Sequence, residues 1–391
     1  MRSIRFRSSC ILGIALACAL PSGFAQKASK TSGKGDYFLY AGTYTRGKSK
    51  GIYAWRFHPA DGTLQSIGLV AETSNPSFLA VAPNGRFLYA ANEDSRYQGQ
   101  PTGTVSAFAI DTATGKLTAL DKVVSKGTGP CHVSLDPAGK WVFVANYNSG
   151  SIASFPVHED GSLGEAAATV QHAGSSVNRQ RQSGPHAHSV VVSPDGRFLL
   201  SADLGLDEVL VSRLGSDGSL PANDPPFGKV APGSGPRHMV FSHDAKFLYV
   251  VSEMIPGVTV FRYDAQKGSL DSIQAISSLP EDYTGPKSGA EIALSPDGRF
   301  VYSSNRGADS IVAFAVDRKK GTLTAAGRFS TGGKTPRNFA IDPSGKWLFA
   351  AHQDSDSIVK FHVDPKSGAL APAGETLEVG APVCVVFAAA R

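Results

Sequence analysis

The chain has 391 residues, of which 41% are hydrophobic and 18% charged, with a formal net charge of +5 at pH 7. Three positive charges lie within the first seven residues, so the rest of the chain carries a net charge of only +2. A nearly neutral chain gives no support to nucleic-acid binding. Beyond the N-terminus, no apolar segment is long enough to predict a membrane span.

The N-terminus is typical of a secretory signal peptide spanning residues 1–25. Arginines precede an apolar run at 11–20, and small residues lie before the expected cleavage site. Cys18 lacks the preceding residues of a good lipoprotein signal. We therefore predict an exported protein, periplasmic or secreted, with a flexible segment at 26–36 and a single domain at 37–391.

The domain repeats a pattern in which a proline opens a short apolar run. Neighbouring prolines are 46 to 55 residues apart. The seven prolines are Pro76, Pro130, Pro185, Pro236, Pro286, Pro336 and Pro382. Such a period is typical of propellers and solenoids, and the chain lacks the long helical periodicity of helical repeats.

Residues 130–163 show what one repeat contains. The run after Pro130 predicts a strand, and a Gly-containing turn at 137–140 leads to a second, apolar strand at 141–145. An alternating third strand follows at 151–157, and a weaker fourth strand comes after the next turn. Four short antiparallel strands in about 50 residues predict one blade of a β-propeller.

The ends of the domain predict how the ring closes. The run Tyr37–Tyr44 matches a second strand and has no first strand before it, whereas Pro382–Phe387 is a first strand with nothing after it. We therefore predict an all-β, seven-bladed propeller in which the C-terminal strand completes the N-terminal blade. An open solenoid is the alternative, but it does not need this exchange. Cys131 and Cys384 belong to different repeats and are predicted to be buried thiols rather than a disulfide.

Aligned on the turn glycine, the repeats differ mainly at the start of the first strand and the end of the second. Antiparallel pairing places these two points at the same face of the disc. Three consecutive repeats contribute His188, Arg237, Glu253 and Arg306 there. Arginine pairs with carboxylates, phosphates or a developing oxyanion, while histidine and glutamate move protons or orient water. A salt-bridge network that merely ties the blades together is the alternative.

Other residues at or beside the matched positions are predicted to bind substrate. They are Asn146, His132, His238, Asn305 and Arg337. His186 and His188 are two residues apart and suggest a metal site with Asp203 or His132, but no further ligand has characteristic spacing, so neither a metal nor another cofactor is predicted. The polar stretch 175–184 is either a lid over the channel or simply a long loop, and its arginines are interpreted as solvated.

Several of these segments resemble the seven-bladed lactonase propellers, which include bacterial 6-phosphogluconolactonase and the fungal carboxymuconate-lactonising enzyme. The similar phrases are Gly184-Pro-His-Ala-His-Ser-Val, Gly235-Pro-Arg-His-Met-Val-Phe and Thr335-Pro-Arg-Asn-Phe. The resemblance spans Tyr37 to Phe387. It implies lactone hydrolysis, with catalytic roles for His188, Arg237, Glu253 and Arg306.

The export signal departs from what this resemblance implies about the substrate. A phosphorylated sugar lactone belongs to the cytosol, so an unphosphorylated aldonolactone or another small lactone is the expected substrate. A general base, His188 or Glu253, would activate water, while the arginines bind the acid group and the oxyanion. A non-catalytic exported propeller that binds a glycan or a protein, and a lactonising isomerase, remain as alternatives. The oligomeric state is not predicted.

Overall fold

The computed structural model describes residues 35–391, which form 29 β-strands in seven sheets. The predicted signal peptide and most of the segment expected to be flexible lie outside the described residues. The last residue of that segment, Asp36, is held in place, because its carboxylate accepts hydrogen bonds from Arg56 Nη1 at 3.0 Å and His58 Nδ1 at 2.6 Å. No helix in the described range is long and apolar enough to cross a bilayer.

The strands are numbered in chain order and the blades from the N-terminus. Blade 1 contains β1 (Tyr37–Thr43), β2 (Gly51–His58), β3 (Thr63–Glu72) and the last strand, β29 (Pro382–Ala389). Blade 2 contains β4 (Pro76–Val81), β5 (Phe87–Asn92), β6 (Thr104–Ile110) and β7 (Leu117–Val124). Blade 3 contains β8 (Pro130–Leu135), β9 (Trp141–Asn146), β10 (Ser151–Pro156) and β11 (Ala168–Gln171). Blade 4 contains β12 (Ala187–Val192), β13 (Phe198–Asp203), β14 (Glu208–Arg213) and β15 (Ala222–Lys229).

The remaining three blades follow the same plan. Blade 5 contains β16 (Pro236–Phe241), β17 (Phe247–Ser252), β18 (Gly257–Asp264) and β19 (Ser269–Ser277). Blade 6 contains β20 (Gly289–Leu294), β21 (Phe300–Asn305), β22 (Ser310–Val316) and β23 (Leu323–Ser330). Blade 7 contains β24 (Pro336–Ile341), β25 (Trp347–His352), β26 (Ser357–Val363), β27 (Leu370–Pro372) and β28 (Leu377–Glu378), of which β27 and β28 both pair with β26.

The ring closes through the C-terminal strand, as the sequence predicts. Strand β29 pairs antiparallel with β1, with Tyr37 opposite Ala389 and Gly42 opposite Cys384. The first strands of successive blades contact one another around the ring, and β29 contacts both β4 and β24. The predicted seven-bladed propeller and its closure are therefore confirmed.

The prolines mark the first strands because proline, which has no N–H to donate, is tolerated at the first residue of a strand. Five of the seven are the first residue of a strand, whereas Pro185 and Pro286 lie two or three residues before one. The turn that follows each first strand requires a positive φ. Gly139 adopts +67° there, and Ala245, which replaces the glycine in blade 5, adopts +57°.

The hydrophobic core lies between neighbouring blades. The second strands are buried along their whole length in β5, β13, β17 and β21, whereas outer strands such as β7 are half-buried or exposed. Tyrosine hydroxyls tie blades together, since Tyr40 and Tyr89 donate hydrogen bonds of 2.9 Å to the carbonyls of Gly115 and Gly161 in the next blades. Cys131 and Cys384 are buried free thiols, as predicted.

Candidate active site

The varied residues of the repeats converge where the first strands begin and the second strands end. The pairing register shows this directly, because Pro236 lies opposite Ser252 and Pro130 opposite Asn146. Side chains from the start of one strand and the end of the next are therefore neighbours on one face of the disc, at the mouth of the central channel.

Glu253 is the centre of the cluster at this mouth. It follows β17, and its Oε2 lies 2.7 Å from Arg306 Nη2 and 3.2 Å from Arg237 Nε. Its Oε1 accepts a hydrogen bond of 2.7 Å from Arg181 Nη2, and His188 Nε2 lies 3.8 Å from Oε2. The structure thus brings together all four residues that the sequence singled out, and it adds a third arginine.

Three guanidinium groups share this one carboxylate. Burial alone would raise the pKa of Glu253, but Arg306, Arg237 and Arg181 outweigh it and lower the pKa to about 2. Burial and the nearby Arg306 lower the pKa of Arg237 to about 10, which leaves it protonated at neutral pH. The cluster therefore carries more positive than negative charge and favours an anionic group.

Arg306 has donors that the protein does not use. Its Nη2 donates to Glu253 and, at 3.0 Å, to the carbonyl of Gly289. Its Nε is buried and has no hydrogen-bond partner among residues 35–391. Buried donors are nearly always satisfied, so an unpartnered one at a channel mouth is suited to a ligand oxygen.

His188 is a neutral titratable group placed beside Glu253, where it can accept a proton. Burial and the positive charge of Arg237 lower its pKa below the ordinary value of 6.5, so the imidazole is neutral at neutral pH. Its Nε2 faces Glu253, and its Nδ1 lies 3.7 Å from the thiol sulfur of Cys131. A proton arriving on this ring would be stabilised by the carboxylate of Glu253.

A second cluster adjoins His188. The His188 and His238 rings pack edge to face with centroids 5.2 Å apart, and His238 Nδ1 lies 3.0 Å from each carboxyl oxygen of Glu291. His132 stacks on Phe78 at 4.1 Å. Burial lowers the pKa values of His132 and His238 and raises the pKa of Glu291 to about 7. His132 and His238, predicted to bind substrate, thus contact protein groups in the channel.

The two asparagines predicted to bind substrate are fully buried and hydrogen-bonded to the connections that lead from the preceding blades into their own. Asn146 Nδ2 donates to the carbonyl of Ser125 at 3.0 Å, and Asn305 Oδ1 accepts a hydrogen bond of 2.6 Å from the hydroxyl of Ser278. Both are 0% exposed. Because each joins the end of a second strand to a loop, we assign them a structural role and leave them out of the proposed site.

Arg337 belongs to a separate group at the mouth. Its guanidinium packs over the Tyr44 ring at 5.4 Å and lies 3.9 Å from Glu93, whose Oε2 accepts a hydrogen bond of 2.8 Å from Tyr44. Tyr44 and Glu93 follow the second strands of blades 1 and 2. Sequence comparison of the repeats placed Glu93 in a matched position but gave no reason to choose it.

Arg181 and Tyr147 belong to the cluster, although their sequence positions did not select them as site residues. Arg181 Nη2 donates to Tyr147 Oη at 3.0 Å as well as to Glu253, and the Tyr147 ring stacks on His186 at 4.6 Å. Arg181 lies on the connection from β11 of blade 3 to β12 of blade 4, outside the strands whose positions match between repeats. The polar composition of this connection was the only signal.

A metal site is not formed among residues 35–391, where no group of three or more candidate ligands converges. His186 and His188 do not meet at Asp203, as a shared metal site would require. The carboxylate of Asp203 instead accepts hydrogen bonds from His172 Nδ1 at 2.7 Å and from the backbone N–H of His186 at 2.7 Å.

Comparison with known proteins identifies the family. The sequence model described as "Lactonase, 7-bladed beta-propeller" matches residues 38–387. A 6-phosphogluconolactonase from Bacillus subtilis is 37% identical over 295 residues, covering 75% of this chain and 82% of the relative. One from Formosa agariphila is 34% identical over 298 residues, covering 75% and 83%.

A solved structure agrees with these sequence relatives. The periplasmic gluconolactonase of Pseudomonas aeruginosa superposes with a TM-score of 0.86 at 39% identity, covering 91% of this chain and all of the other. The family model, the sequence relatives and the solved structure all indicate the same family. The chain belongs to the seven-bladed β-propeller lactonase family and is an enzyme of the lactonase class.

Proposed function

We propose that the protein hydrolyses a small, sugar-type lactone at the channel mouth, with His188 as general base. The observation that carries this proposal is the Glu253 cluster, in which three guanidiniums share one carboxylate beside a neutral imidazole. Such a cluster combines excess positive charge with a proton acceptor, which are the two requirements of acyl transfer to water.

The chemical steps follow from these groups. His188 Nε2 takes a proton from water as the water oxygen bonds to the lactone carbonyl carbon. Arg306 and Arg237 then stabilise the oxyanion of the tetrahedral intermediate. When the bond between that carbon and the ring oxygen breaks, the imidazolium returns its proton to the ring oxygen. The product is a hydroxy acid, and one water molecule is consumed.

Glu253 is a poor general base for an electrostatic reason. A general base works best when its pKa lies near the working pH. The arginines lower the pKa of Glu253 to about 2, so this carboxylate accepts a proton poorly. Glu253 instead orients the arginines and stabilises the imidazolium as it forms.

The substrate is inferred from the expected location. We propose that the N-terminal segment exports the enzyme and that the substrate is an unphosphorylated aldonolactone. The N-terminal pattern and the similarity to a periplasmic gluconolactonase support this assignment. The related 6-phosphogluconolactonases act on a phosphorylated lactone, so both kinds of lactone belong in the test.

The test is a pH-stat assay of the purified mature protein on a panel of free and phosphorylated lactones. His188→Gln is expected to lower kcat by about 10² or more, the scale at which single catalytic groups contribute. His362→Gln, at an exposed position on β26, is the matched control and should keep the wild-type rate. Rates in His188→Gln equal to the wild type would contradict the proposed base. Turnover no faster than spontaneous hydrolysis on every lactone would contradict the function.

A further inference from the structure

We propose that Arg181, together with Tyr147, forms a specificity subsite for an oxyanion of the ligand. The oxyanion is either the carboxylate that ring opening generates or an acidic substituent of the substrate. This inference rests on the proposed function, because it assigns ligand chemistry to the same channel mouth.

Arg181 carries N–H donors that are free to bind a ligand. A guanidinium has five N–H groups in a planar fork. Only Nη2 is used by the protein, for Glu253 Oε1 at 2.7 Å and Tyr147 Oη at 3.0 Å. Nε and Nη1 make no side-chain hydrogen bond within residues 35–391. These atoms can pair with two oxygens of one carboxylate or phosphate.

The guanidinium of Arg181 is also accessible from solvent. The side chain of Arg181 is 45% exposed, whereas the side chains of Arg306 and Arg237 are 15% and 2% exposed. A ligand that enters from solvent therefore meets the guanidinium of Arg181 before the two buried guanidiniums. The buried pair lies closer to the reacting carbonyl, and Arg181 lies where the remote part of the ligand must be.

The loop that carries Arg181 is held in place. The neighbouring Gln182 is fully buried, and its side chain donates to the carbonyl of Leu204 at 2.9 Å and accepts from the N–H of Asn178 at 3.0 Å. Ser176 donates to Asp207 at 2.6 Å. A guanidinium on an anchored loop loses less conformational entropy on binding than one on a free loop.

The charge of the channel mouth also favours an oxyanion. Three arginines face Glu253, and Arg337 faces Glu93, so the mouth keeps excess positive charge while burial keeps His188 neutral. An unsubstituted lactone is neutral, but hydrolysis converts it into a carboxylate. The mouth therefore binds the acid form of the ligand better than the neutral lactone, and Arg181 is its exposed contact.

The test compares Arg181→Gln with Arg179→Gln. Arg179 is exposed on the same loop, so its replacement removes the same charge without touching the cluster. Binding of gluconate is measured by calorimetry, and hydrolysis is followed with glucono-δ-lactone and its 6-phosphate. For Arg181→Gln we expect at least a tenfold weaker gluconate affinity or a tenfold higher KM for the phosphorylated lactone, a larger change than any fall of kcat on the neutral lactone. Arg179→Gln should change each quantity by less than twofold.

The outcomes separate the two sources of the oxyanion. A loss confined to gluconate identifies the product carboxylate, and a loss confined to the phosphorylated lactone identifies a substituent of the substrate. Unchanged values in both arms would overturn the subsite, as would an equal fall of kcat on every lactone, because Arg181 would then act only through Glu253. Gluconate binding that depends on Arg181, in a protein without turnover, would support the subsite while refuting the proposed function.

Discussion

Replacing Glu253 by glutamine removes the one carboxylate that holds three guanidiniums at the channel mouth. Glutamine has nearly the same shape, so the change tests charge rather than packing. Arg181, Arg237 and Arg306 would then repel one another without a counter-ion in a buried setting. We expect the variant to be less stable at neutral pH and to lose activity, because the arginines would no longer be oriented.

The size of the effect follows from the pKa of Glu253. The arginines lower it from an ordinary 4.5 to about 2 in spite of burial. At ~1.4 kcal/mol per pH unit, this difference corresponds to about 3 kcal/mol of stabilisation by the ionised carboxylate. Breaking a buried ion pair typically costs ~3–5 kcal/mol, which agrees. With an unfolding entropy of ~2.1 cal/mol/K per residue, Tm should fall by about 4 °C.

The pH dependence gives the sharper test. A carboxylate whose pKa is lowered in the fold contributes its full stabilisation above the unfolded pKa, and the contribution disappears as pH falls through the folded pKa. The difference in free energy of unfolding between wild type and Glu253→Gln should therefore be constant above pH 5. It should shrink below pH 4.5 and vanish near pH 2.

Urea unfolding at a series of pH values measures this difference. Glu165→Gln is the matched control, because the side chain of Glu165 is 96% exposed and its contact with Lys126 is 3.8 Å long. Exposed pairs of this kind contribute little. Equal stability of wild type and Glu253→Gln at pH 7, or a difference that persists unchanged at pH 3, would refute the electrostatic reasoning.

Two further predictions concern the base and the ring. Burial and Arg237 lower the pKa of His188, so the acid limb of the pH profile of kcat/KM should lie below pH 6.5. Arg337→Gln removes another positive charge that lowers this pKa and should move the acid limb to higher pH. An acid limb that does not move would mean that His188 is not the titrating base. Deleting residues 381–391 removes β29, whose Val383 and Val385 are buried. This deletion should abolish the cooperative unfolding transition monitored by near-UV circular dichroism. Deleting only residues 390 and 391 should leave the transition cooperative. A soluble, cooperatively folded 1–380 fragment would contradict closure through β29.

The fold could be predicted from the sequence because its information is local and repeated. In each repeat a proline marks the first strand, and a glycine or, in blade 5, Ala245 marks the turn. Closure of the ring could be predicted because Tyr37 begins a second strand and Pro382 begins a first strand. The two ends of the chain therefore supply complementary strands of one blade. Because the pattern occurs seven times, a repeat that departs from it can still be recognised by comparison with the others.

The site residues could be predicted only where they occupy positions that recur in every repeat. His188, Arg237, Glu253 and Arg306 occupy matched positions, and comparing repeats reveals them. The same comparison also selected Asn146 and Asn305, since matched positions cannot distinguish a side chain that faces the channel from one that bonds to the connection between two blades. That distinction depends on side-chain direction, which the spacing of residues along the chain does not contain.

Arg181 shows the opposite limit of sequence reasoning. It lies on the connection between blades 3 and 4, and its partners Tyr147 and Glu253 follow strands β9 and β17, 34 and 72 residues away along the chain. Nothing in its neighbourhood distinguishes it from Arg179, yet one side chain reaches the cluster and the other is exposed on the loop. The buried arginines are fixed by the blades, which every relative of this fold must build. The exposed one is carried by the connection between blades 3 and 4, which His172, Ser176 and Gln182 anchor to the ring. Ligand preference should therefore depend on the exposed residues of this connection more than on the blades, and replacing those residues while the anchors are kept should alter preference more than the reaction.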